Sequence, residues 1–324
     1  MPLSIVVIGC GGISNGSHGP AYQEYARTHS GLLLAACCDR HIERAESFRD
    51  QFGFQRAYGD PWEMLEREKP GAVCLNVLPD VLSELGCEVM RRGFALLSEK
   101  PPGLSVDEID RLIAAARQSG LPHQVAFNRR FMPLAVELKS RLAGQTVQHL
   151  NIQMARVARN DANFATTAVH AIDAARFFAG SDFQEVRFQY QEQPELGEGV
   201  ANFTLDARFA SGATAQLSFQ PYSGTSIERS AIYTRDQAFF LDANTGPDAP
   251  GRLRHYVQGE LIADLDAVQF CGRGEDYYLN GFYQEDAAFF DAVQAGIQPA
   301  PSFQTCRQSI EIMACISQRR AAYP

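Results

Sequence analysis

Strand-sized apolar runs alternate with amphipathic stretches of helical length over the first 127 residues of this 324-residue chain. Repeated strand–helix units of this kind predict a parallel sheet covered by helices on both faces. The predicted strands are 3–8, 32–38, 72–77, 95–98 and 123–126. The predicted helices are 41–52, 61–68, 81–92 and 106–118, the last capped by Ser105. Such a sheet binds ligands at the carboxyl ends of its strands.

The pattern changes to a period of two near Val147, which is typical of an antiparallel sheet with one covered face. The predicted strands here are 147–154, 188–190, 201–209, 213–219 and 227–233, and the predicted helices are 167–178, 281–295 and 304–321. The chain length also suits two domains. We therefore predict an α/β protein with a doubly wound Rossmann domain over 1–127 and an α+β domain over 128–324.

The composition excludes several kinds of partner. With 29 Lys plus Arg against 38 Asp plus Glu, the net charge of −9 disfavours binding to nucleic acid or to an anionic membrane surface. No apolar run reaches membrane-spanning length and no export signal is recognisable, so a cytoplasmic protein is expected. The eight cysteines include no C-x-x-C pair, which predicts buried, reduced thiols and no metal site.

A glycine turn follows the first predicted strand in the form G-x-G-x-x-S. In a dinucleotide-binding turn Gly9 would permit the sharp bend and Gly11 the close approach of the pyrophosphate to the backbone. Ser14 stands where Gly or Ala is usual and is small enough to keep the helix near the strand. The predicted cofactor contacts in this turn are Gly9, Gly11, Gly12 and Ile13, although glycine turns also occur for purely structural reasons.

Asp39 ends the second strand, where an acidic side chain can bind the adenosine ribose hydroxyls and repel a 2'-phosphate. This position predicts NAD, with NADP less favoured. Arg40 is an opposing feature, because a guanidinium there could pair with a 2'-phosphate or stack on adenine. A solvated carboxylate at a strand end is the structural alternative for Asp39. The interval from Ser14 to Asp39 is 25 residues, and a loop over 15–20 would account for its length.

The fifth strand ends in Ser98-Glu99-Lys100-Pro101-Pro102. Together with the glycine turn and three other segments, this sequence resembles the glucose-fructose oxidoreductase, inositol dehydrogenase and MocA family over nearly its full length. The other segments are Leu78-Pro79-Asp80, Phe127-Asn128-Arg129-Arg130-Phe131 and His170-Ala171-Ile172-Asp173. The resemblance implies an open, mostly antiparallel sheet in the second domain.

The resemblance also implies that Lys100 lies at the nicotinamide, binds the reacting hydroxyl and stabilises negative charge on its oxygen. Independently, prolines after Lys100 restrict the chain at the carboxyl end of a parallel strand, where the ammonium is directed to the ligand crevice. A surface lysine on a turn is the alternative interpretation. The further predicted cofactor contacts at these strand ends are Asn76, Leu78, Pro79, Glu99 and Lys100.

His170 is predicted to open a helix on which Asp173 shares its face, so that both side chains can point into the cleft. An imidazole suits removal of the hydroxyl proton. Many relatives carry an aspartate four residues before this histidine, where the chain has Thr166, and a histidine where it has Ser83. Thr166 can bind a hydroxyl but cannot stabilise imidazolium, and Asp173 could take over that role.

Other polar and aromatic residues are candidates for substrate contact. Asn128, Arg129, Thr166 and Tyr283 are predicted to join Lys100 and His170 in binding substrate. Arg156, Arg159, Tyr277 and Tyr278 are weaker candidates, since solvated arginines and packed tyrosines are common.

The sequence thus predicts an NAD(H)-dependent dehydrogenase acting on a secondary alcohol of a sugar, polyol or sugar acid. Two rivals remain open: an NAD-dependent glycosidase or lyase that oxidises its substrate transiently, and a dinucleotide-binding sensor without catalysis. The broad face of an open sheet favours a homodimer or homotetramer.

Overall fold

A six-stranded parallel sheet forms the centre of the first unit in the computed structural model, which describes residues 2–246 and 249–324. The strand order is β3-β2-β1-β4-β5-β6. Its strands are β1 (Leu3–Ile8), β2 (Leu32–Cys38), β3 (Arg56–Tyr58), β4 (Ala72–Leu75), β5 (Ala95–Ser98) and β6 (His123–Val125). The central strands are buried on both faces, which is why they are continuous apolar runs in the sequence.

Helices follow these strands as predicted, with one addition. They are α1 (Gly19–Thr28), α2 (Ile42–Phe52), α3 (Pro61–Glu68), α4 (Pro79–Arg91) and α5 (Val106–Ser119). Ser105 caps α5 by accepting a hydrogen bond from the Glu108 N–H, which confirms the predicted cap. The added helix is α1. It is preceded by a single π-helical turn, Ser14–His18, where the sequence predicted a loop.

The second unit contains a nine-stranded sheet in the order β14-β13-β12-β11-β7-β10-β9-β8-β15. Its strands are β7 (His149–Val157), β8 (Phe183–Glu192), β9 (Ala201–Phe209), β10 (Thr214–Ser223), β11 (Ile227–Tyr233), β12 (Gln237–Asp242), β13 (Arg252–Val257), β14 (Glu260–Asp266) and β15 (Ala322–Tyr323). Among the described strand pairs of this second sheet, only β7 and β10 are parallel, so the sheet is mostly antiparallel. The strands β3, β12, β13, β14 and β15 were not predicted from the sequence.

Four helices belong to the second unit: α6 (Pro133–Arg141), α7 (Ala165–Ala179), α8 (Ala267–Cys271) and α9 (Asp276–Leu279). A 3₁₀ turn, Asn128–Arg130, precedes α6. Helix α7 packs on β7 and β10 and covers one face of the sheet. It begins at Ala165, so His170 lies in its second turn and does not open the helix as predicted.

The last two helices are α10 (Phe282–Ala295) and α11 (Phe303–Ser317). The first unit runs to Asn128 and also includes Gly281–Arg307, while the second comprises Arg129–Asn280 and Gln308–Pro324. The predicted boundary after residue 127 therefore assigned 281–307 to the wrong unit. The reason is packing: Phe289 and Phe290 are fully buried in the core of the first unit, where Phe290 contacts Tyr22 and Tyr25.

All eight cysteines are free thiols, and seven of them are buried, as predicted. Among the residues that the structure describes, no helix combines the length and the apolar character needed to cross a membrane.

Candidate functional site

The glycine turn after β1 is shaped by two close backbone contacts. Gly9 has φ +99°, and a Cβ built there would lie 2.3 Å from the carbonyl oxygen of Asn76, so only glycine fits. In contrast, a Cβ at Gly11 or Gly12 would meet nothing within 4 Å. Backbone atoms of Asn76 therefore crowd Gly9, whereas the space beside Gly11 and Gly12 is open. This open space would accommodate a pyrophosphate bound against the backbone.

Ser14 lies fully buried behind the turn. Its hydroxyl donates to the carbonyl of Gly9 over 2.6 Å and accepts from the Asn76 side chain over 3.2 Å. The same Asn76 amide lies 3.3 Å from the hydroxyl of Tyr22, while its Oδ1 has no partner among the described residues. Ser14 therefore connects the glycine turn by a hydrogen bond to Asn76, which follows β4. Its small size also suits this fingerprint position.

Asp39 follows β2 beside the same turn. Its carboxylate accepts the backbone N–H of Cys10 over 3.0 Å and that of His41 over 2.9 Å. These bonds fix the carboxylate but leave lone pairs for further donors, as a ribose-binding aspartate requires. Arg40 is exposed. The apolar side chains of Ile13 and Leu78 are also exposed, which is consistent with contact to a bound dinucleotide.

Lys100 follows β5, at the carboxyl end of the parallel sheet, in a turn with a cis peptide bond before Pro101. The preceding Glu99 is buried, and its Oε2 accepts the Lys100 backbone N–H over 2.9 Å. The Glu99 N–H in turn donates to the carbonyl of Leu75 on β4. The backbone at Lys100 is therefore held by the side chain of its neighbour.

The other oxygen of Glu99 reaches a histidine that the sequence analysis did not select. His18 Nε2 lies 2.9 Å from Glu99 Oε1, and His18 Nδ1 lies 3.0 Å from Asp286 Oδ1 on α10. The imidazole is completely buried, with Tyr22 stacked on it at 5.6 Å and the Phe282 ring edge-on at 5.1 Å. We call Asp286, His18 and Glu99 the buried triad.

The π turn explains how a glycine-rich segment delivers His18 to this place. The N–H of Gly19 donates to the carbonyl of Ser14, five residues back, so this turn contains one residue more than an α-helical turn. Gly19 is required there, because a Cβ would lie 2.5 Å from the Phe52 ring. The 15–20 segment is thus helical and carries a buried side chain, rather than being the loop predicted from the interval between Ser14 and Asp39.

Opposing effects set the protonation of the buried triad. Burial lowers the pKa of His18, but the charges and hydrogen bonds of Asp286 and Glu99 outweigh it and raise the pKa well above its ordinary value. Burial raises the pKa of Asp286 to about 6, although His18 opposes this rise. Burial also acts to raise the pKa of Glu99, yet His18 and Lys100 lower it overall. These shifts favour a protonated His18 and an ionised Glu99.

A carboxylate of Glu285 adjoins His18 and Asp286, and ligand atoms of the three lie within 4.8 Å of one another. Both imidazole nitrogens are, however, at hydrogen-bond distance from the carboxylates of Glu99 and Asp286. His18 and Asp286 are therefore joined by hydrogen bonds, and the imidazole nitrogens are already occupied by carboxylates.

The second unit has a small, partly open cavity of about 30 Å³ beside α7. His170, which is 6% exposed, lines it from α7, and Arg129, Gln153, Glu228 and Ser230 line it from the opposite side. Arg229 also lines the cavity, and the remaining lining residues are apolar. Its polar lining groups are His170 and charged or amide side chains, and its volume holds only a few water molecules.

Arg129 is paired with Glu228, a residue that was not a candidate in the sequence. Its Nη2 and Nε lie 2.6 and 3.0 Å from the two carboxylate oxygens, and Arg156 binds the same carboxylate. Burial alone would raise the pKa of Glu228, but the two guanidinium groups lower it to about 2. This charged cluster of two arginines and one glutamate carries a net positive charge beside His170.

Asp173 does not line the cavity. Its carboxylate accepts from Arg130 Nε and Nη2 over 2.6 and 2.7 Å and from the Ser309 hydroxyl over 3.3 Å. Arg130 therefore balances the charge of Asp173. Asp173 was expected to point into the cleft with His170, and this ion pair was not predicted.

The remaining candidates are distributed over both units. Asn128 is buried at the start of the 3₁₀ turn, and the Thr166 hydroxyl donates to the Asn163 carbonyl over 3.1 Å. Tyr283 packs against the core of the first unit. Arg159 pairs with Asp161 at the surface, and Tyr277 and Tyr278 both lie against Arg273.

The chain is similar in sequence to known oxidoreductases. Residues 3–127 match the family model described as an oxidoreductase family with an NAD-binding Rossmann fold. The chain is 24% identical to myo-inositol 2-dehydrogenase of Thermotoga maritima, over 93% of this chain and 91% of that protein. It is 26% identical to inositol 2-dehydrogenase 2 of Saccharopolyspora erythraea, over 83% and 73%.

Solved structures show the same fold. An oxidoreductase domain protein from Kribbella flavida superposes with a TM-score of 0.83 at 20% identity, covering 100% of this chain and 99% of that one. A levoglucosan dehydrogenase in complex with NADH and levoglucosan gives a TM-score of 0.84 at 17% identity, covering 99% and 98%.

Proposed function

We propose that this chain is a member of the glucose-fructose oxidoreductase, inositol dehydrogenase and MocA family, to which residues 3–127 are matched, and that it oxidises a secondary alcohol of a sugar, polyol or sugar acid. The observation that carries the proposal is the Glu99-Lys100-Pro101 turn, which follows β5 in the same sheet whose β1 ends in the open glycine turn. Ligands of such sheets bind at this edge.

The residues of the first unit fit NAD. The space above Gly11 and Gly12 would take the pyrophosphate, Asp39 would bind the adenosine ribose, and the free Oδ1 of Asn76 offers an acceptor nearby. Ile13, Leu78 and Pro79 would supply apolar contact. When bound, NAD supplies the hydride acceptor.

Lys100 is assigned the role of an electrostatic catalyst. Its ammonium would donate a hydrogen bond to the substrate hydroxyl and stabilise the negative charge that develops on that oxygen as the proton leaves. The bonds from Glu99 to the Lys100 N–H and onward to His18 limit the backbone movement that would misdirect this ammonium.

His170 is assigned the role of general base. In oxidation the hydroxyl proton would pass to its imidazole, and in reduction the same group would return it. Its place in the cavity wall supports contact with a polar ligand. Asn128, Arg129 and Thr166 are proposed to orient substrate. Asp173 is proposed to hold Arg130 rather than the reacting proton, and Tyr283 to pack, because of the contacts they make.

The substrate class rests partly on relatives. The names of several, among them inositol 2-dehydrogenases and a D-glucoside 3-dehydrogenase of Escherichia coli, point to polyols and sugars. A homodimer or homotetramer is proposed from the broad second sheet, and light scattering would measure it.

The deciding experiment is a panel of cyclic polyols, aldoses and sugar acids incubated with NAD, with NADH formation followed by absorbance. Lys100→Met serves as the matched inactive enzyme. Stoichiometric NADH with at least one member, absent in the variant, supports the proposal. Turnover of a glycoside without net NADH would replace it with transient-oxidation chemistry, and NAD binding without turnover of any member would contradict it.

A further inference from the structure

The strongest feature outside the assigned chemistry is the buried triad, which connects three separate segments of the first unit. His18 lies 81 residues from Glu99 and 268 from Asp286 in sequence. Both of its ring nitrogens are engaged by carboxylates, and the ring is enclosed by Tyr22 and Phe282. Burying three ionisable groups brings little net stability compared with apolar packing of the same volume. A function other than stability is therefore worth testing.

We propose that Asp286, His18 and Glu99 form a positioning network for Lys100, an inference that rests on the function proposed above. Asp286 orients the imidazole, the imidazole holds Oε1 of Glu99, and Oε2 of Glu99 holds the backbone N–H of Lys100. Each link is at normal hydrogen-bond length, between 2.9 and 3.0 Å.

The geometry of Glu99 explains why both of its oxygens are needed. With Oε1 bound to His18, the carboxylate cannot turn about its last bond, and Oε2 remains in place to receive the Lys100 N–H. Without the His18 donor, the carboxylate is buried with one oxygen unsatisfied and would rotate to find another partner. The direction in which the Lys100 side chain leaves the backbone would then be less well defined.

Two amide substitutions of His18 separate this role from simple packing. The side-chain nitrogen of Gln reaches the place of Nε2 and can still donate to Glu99, whereas that of Asn reaches the place of Nδ1 and serves only Asp286. A misplaced catalytic group lowers turnover by about tenfold to a hundredfold. We expect kcat to fall by that factor in His18→Asn and by much less in His18→Gln, with the NAD dissociation constant changed less than about threefold in both.

A second readout does not depend on turnover. The chain contains three lysines, Lys69, Lys100 and Lys139. Reductive methylation with ¹³C-formaldehyde therefore gives few side-chain NMR signals, and that of Lys100 is identified by its loss in Lys100→Arg. In His18→Asn the Lys100 signal should shift or broaden, while the signals of Lys69 and Lys139 remain unchanged.

His123→Asn is the matched control for loss of a buried imidazole in the same unit. His123 is 5% exposed and bonds Gln304 and the Leu121 carbonyl, with no contact to Glu99 among its recorded hydrogen bonds. This variant should lower the melting temperature like His18→Asn but leave kcat and the Lys100 signal near wild type.

The outcomes separate the two hypotheses. Equal kcat losses in His18→Asn, His18→Gln and His123→Asn, or an unmoved Lys100 signal in His18→Asn, would overturn the positioning network. If the wild type oxidises no member of the panel, the proposed function fails while the Lys100 signal still decides the network. If His18→Asn does not fold, Glu99→Gln replaces it, because its single acceptor oxygen can serve His18 or the Lys100 N–H but not both, so the same losses are expected.

Discussion

Glu228 is the buried centre of the charged cluster in the second unit, and Glu228→Gln should destabilise that unit at neutral pH. Its side chain is 11% exposed and is bound by both Arg129 and Arg156. Glutamine keeps the shape but removes the charge, so two guanidinium groups would face a neutral amide. Breaking a buried pair in this way costs about 3 to 5 kcal/mol.

The pKa of Glu228 gives a second value for the free energy that Glu228→Gln would cost. The two arginines, working against burial, lower that pKa from 4.5 to about 2. Each pKa unit corresponds to about 1.4 kcal/mol, so the ionised carboxylate stabilises the folded unit by about 3 kcal/mol at neutral pH. Because the folded pKa is the lower one, this stabilisation is complete above about pH 5 and is lost as the pH falls towards 2.

Denaturant unfolding followed by circular dichroism measures the effect. The free energy of unfolding of wild type should exceed that of Glu228→Gln by about 3 kcal/mol at pH 7, and the difference should shrink to about half by pH 3. Asp161→Asn is the control, since its pair with Arg159 is exposed and should contribute less than about 1 kcal/mol. The single tryptophan, Trp62, lies in the first unit and reports that unit separately. A difference at pH 7 no larger than that of the control would refute the reasoning.

Three further predictions concern the proposed site. Asp39→Ala should raise the affinity for NADP(H) relative to NAD(H), and an unchanged ratio on titration would show that Asp39 does not face the ribose. Lys100→Met should lower kcat by about two to three orders of magnitude, and His170→Asn by about a hundredfold with a flatter pH profile; near-native turnover in both would disprove the assignment. Gly9→Ala should destabilise the first unit by more than about 1 kcal/mol, because φ is +99° and the new Cβ would meet Asn76, whereas Gly12→Ala should be tolerated in the same unfolding assay.

The first unit shows which parts of a fold are visible in sequence. Three of its predicted strands, β1, β2 and β5, have the predicted bounds, since strands buried on both faces are unbroken apolar runs. The short edge strand β3 has only one buried residue and was missed. The glycine turn, Asp39 and Lys100 were selected as candidates for a related reason, because each directly follows such a strand.

The π turn was hidden by its composition. Gly16, Gly19 and Pro20 are residues that usually mark loops, and local propensity gives no reason to expect a helix there. The helix is held by tertiary and side-chain contacts instead: Asn15 bonds the carbonyls of Cys10 and Gly11, and His18 bonds two distant carboxylates. A histidine beside such residues is expected to be exposed, although His18 is completely buried.

The same limitation applies to partners far apart in sequence. Helix α10 was predicted from its periodicity, but periodicity does not say which sheet a helix covers. The parallel pairing of β7 with β10 was likewise not predicted, because alternation of buried positions is common to both strand orientations.

Buried ionic clusters are the part of this protein that local sequence analysis is least able to find. In the triad one histidine is shared by two carboxylates, and around Glu228 one carboxylate is shared by two arginines. Each residue taken singly is polar and is expected at the surface, because an unpaired buried charge is too costly. Burial becomes possible only when all three meet, through contacts spanning at least 72 residues. Each unit has such a cluster beside a residue assigned to catalysis, Lys100 in one and His170 in the other. Testing the clusters therefore tests how this fold fixes its two reactive groups.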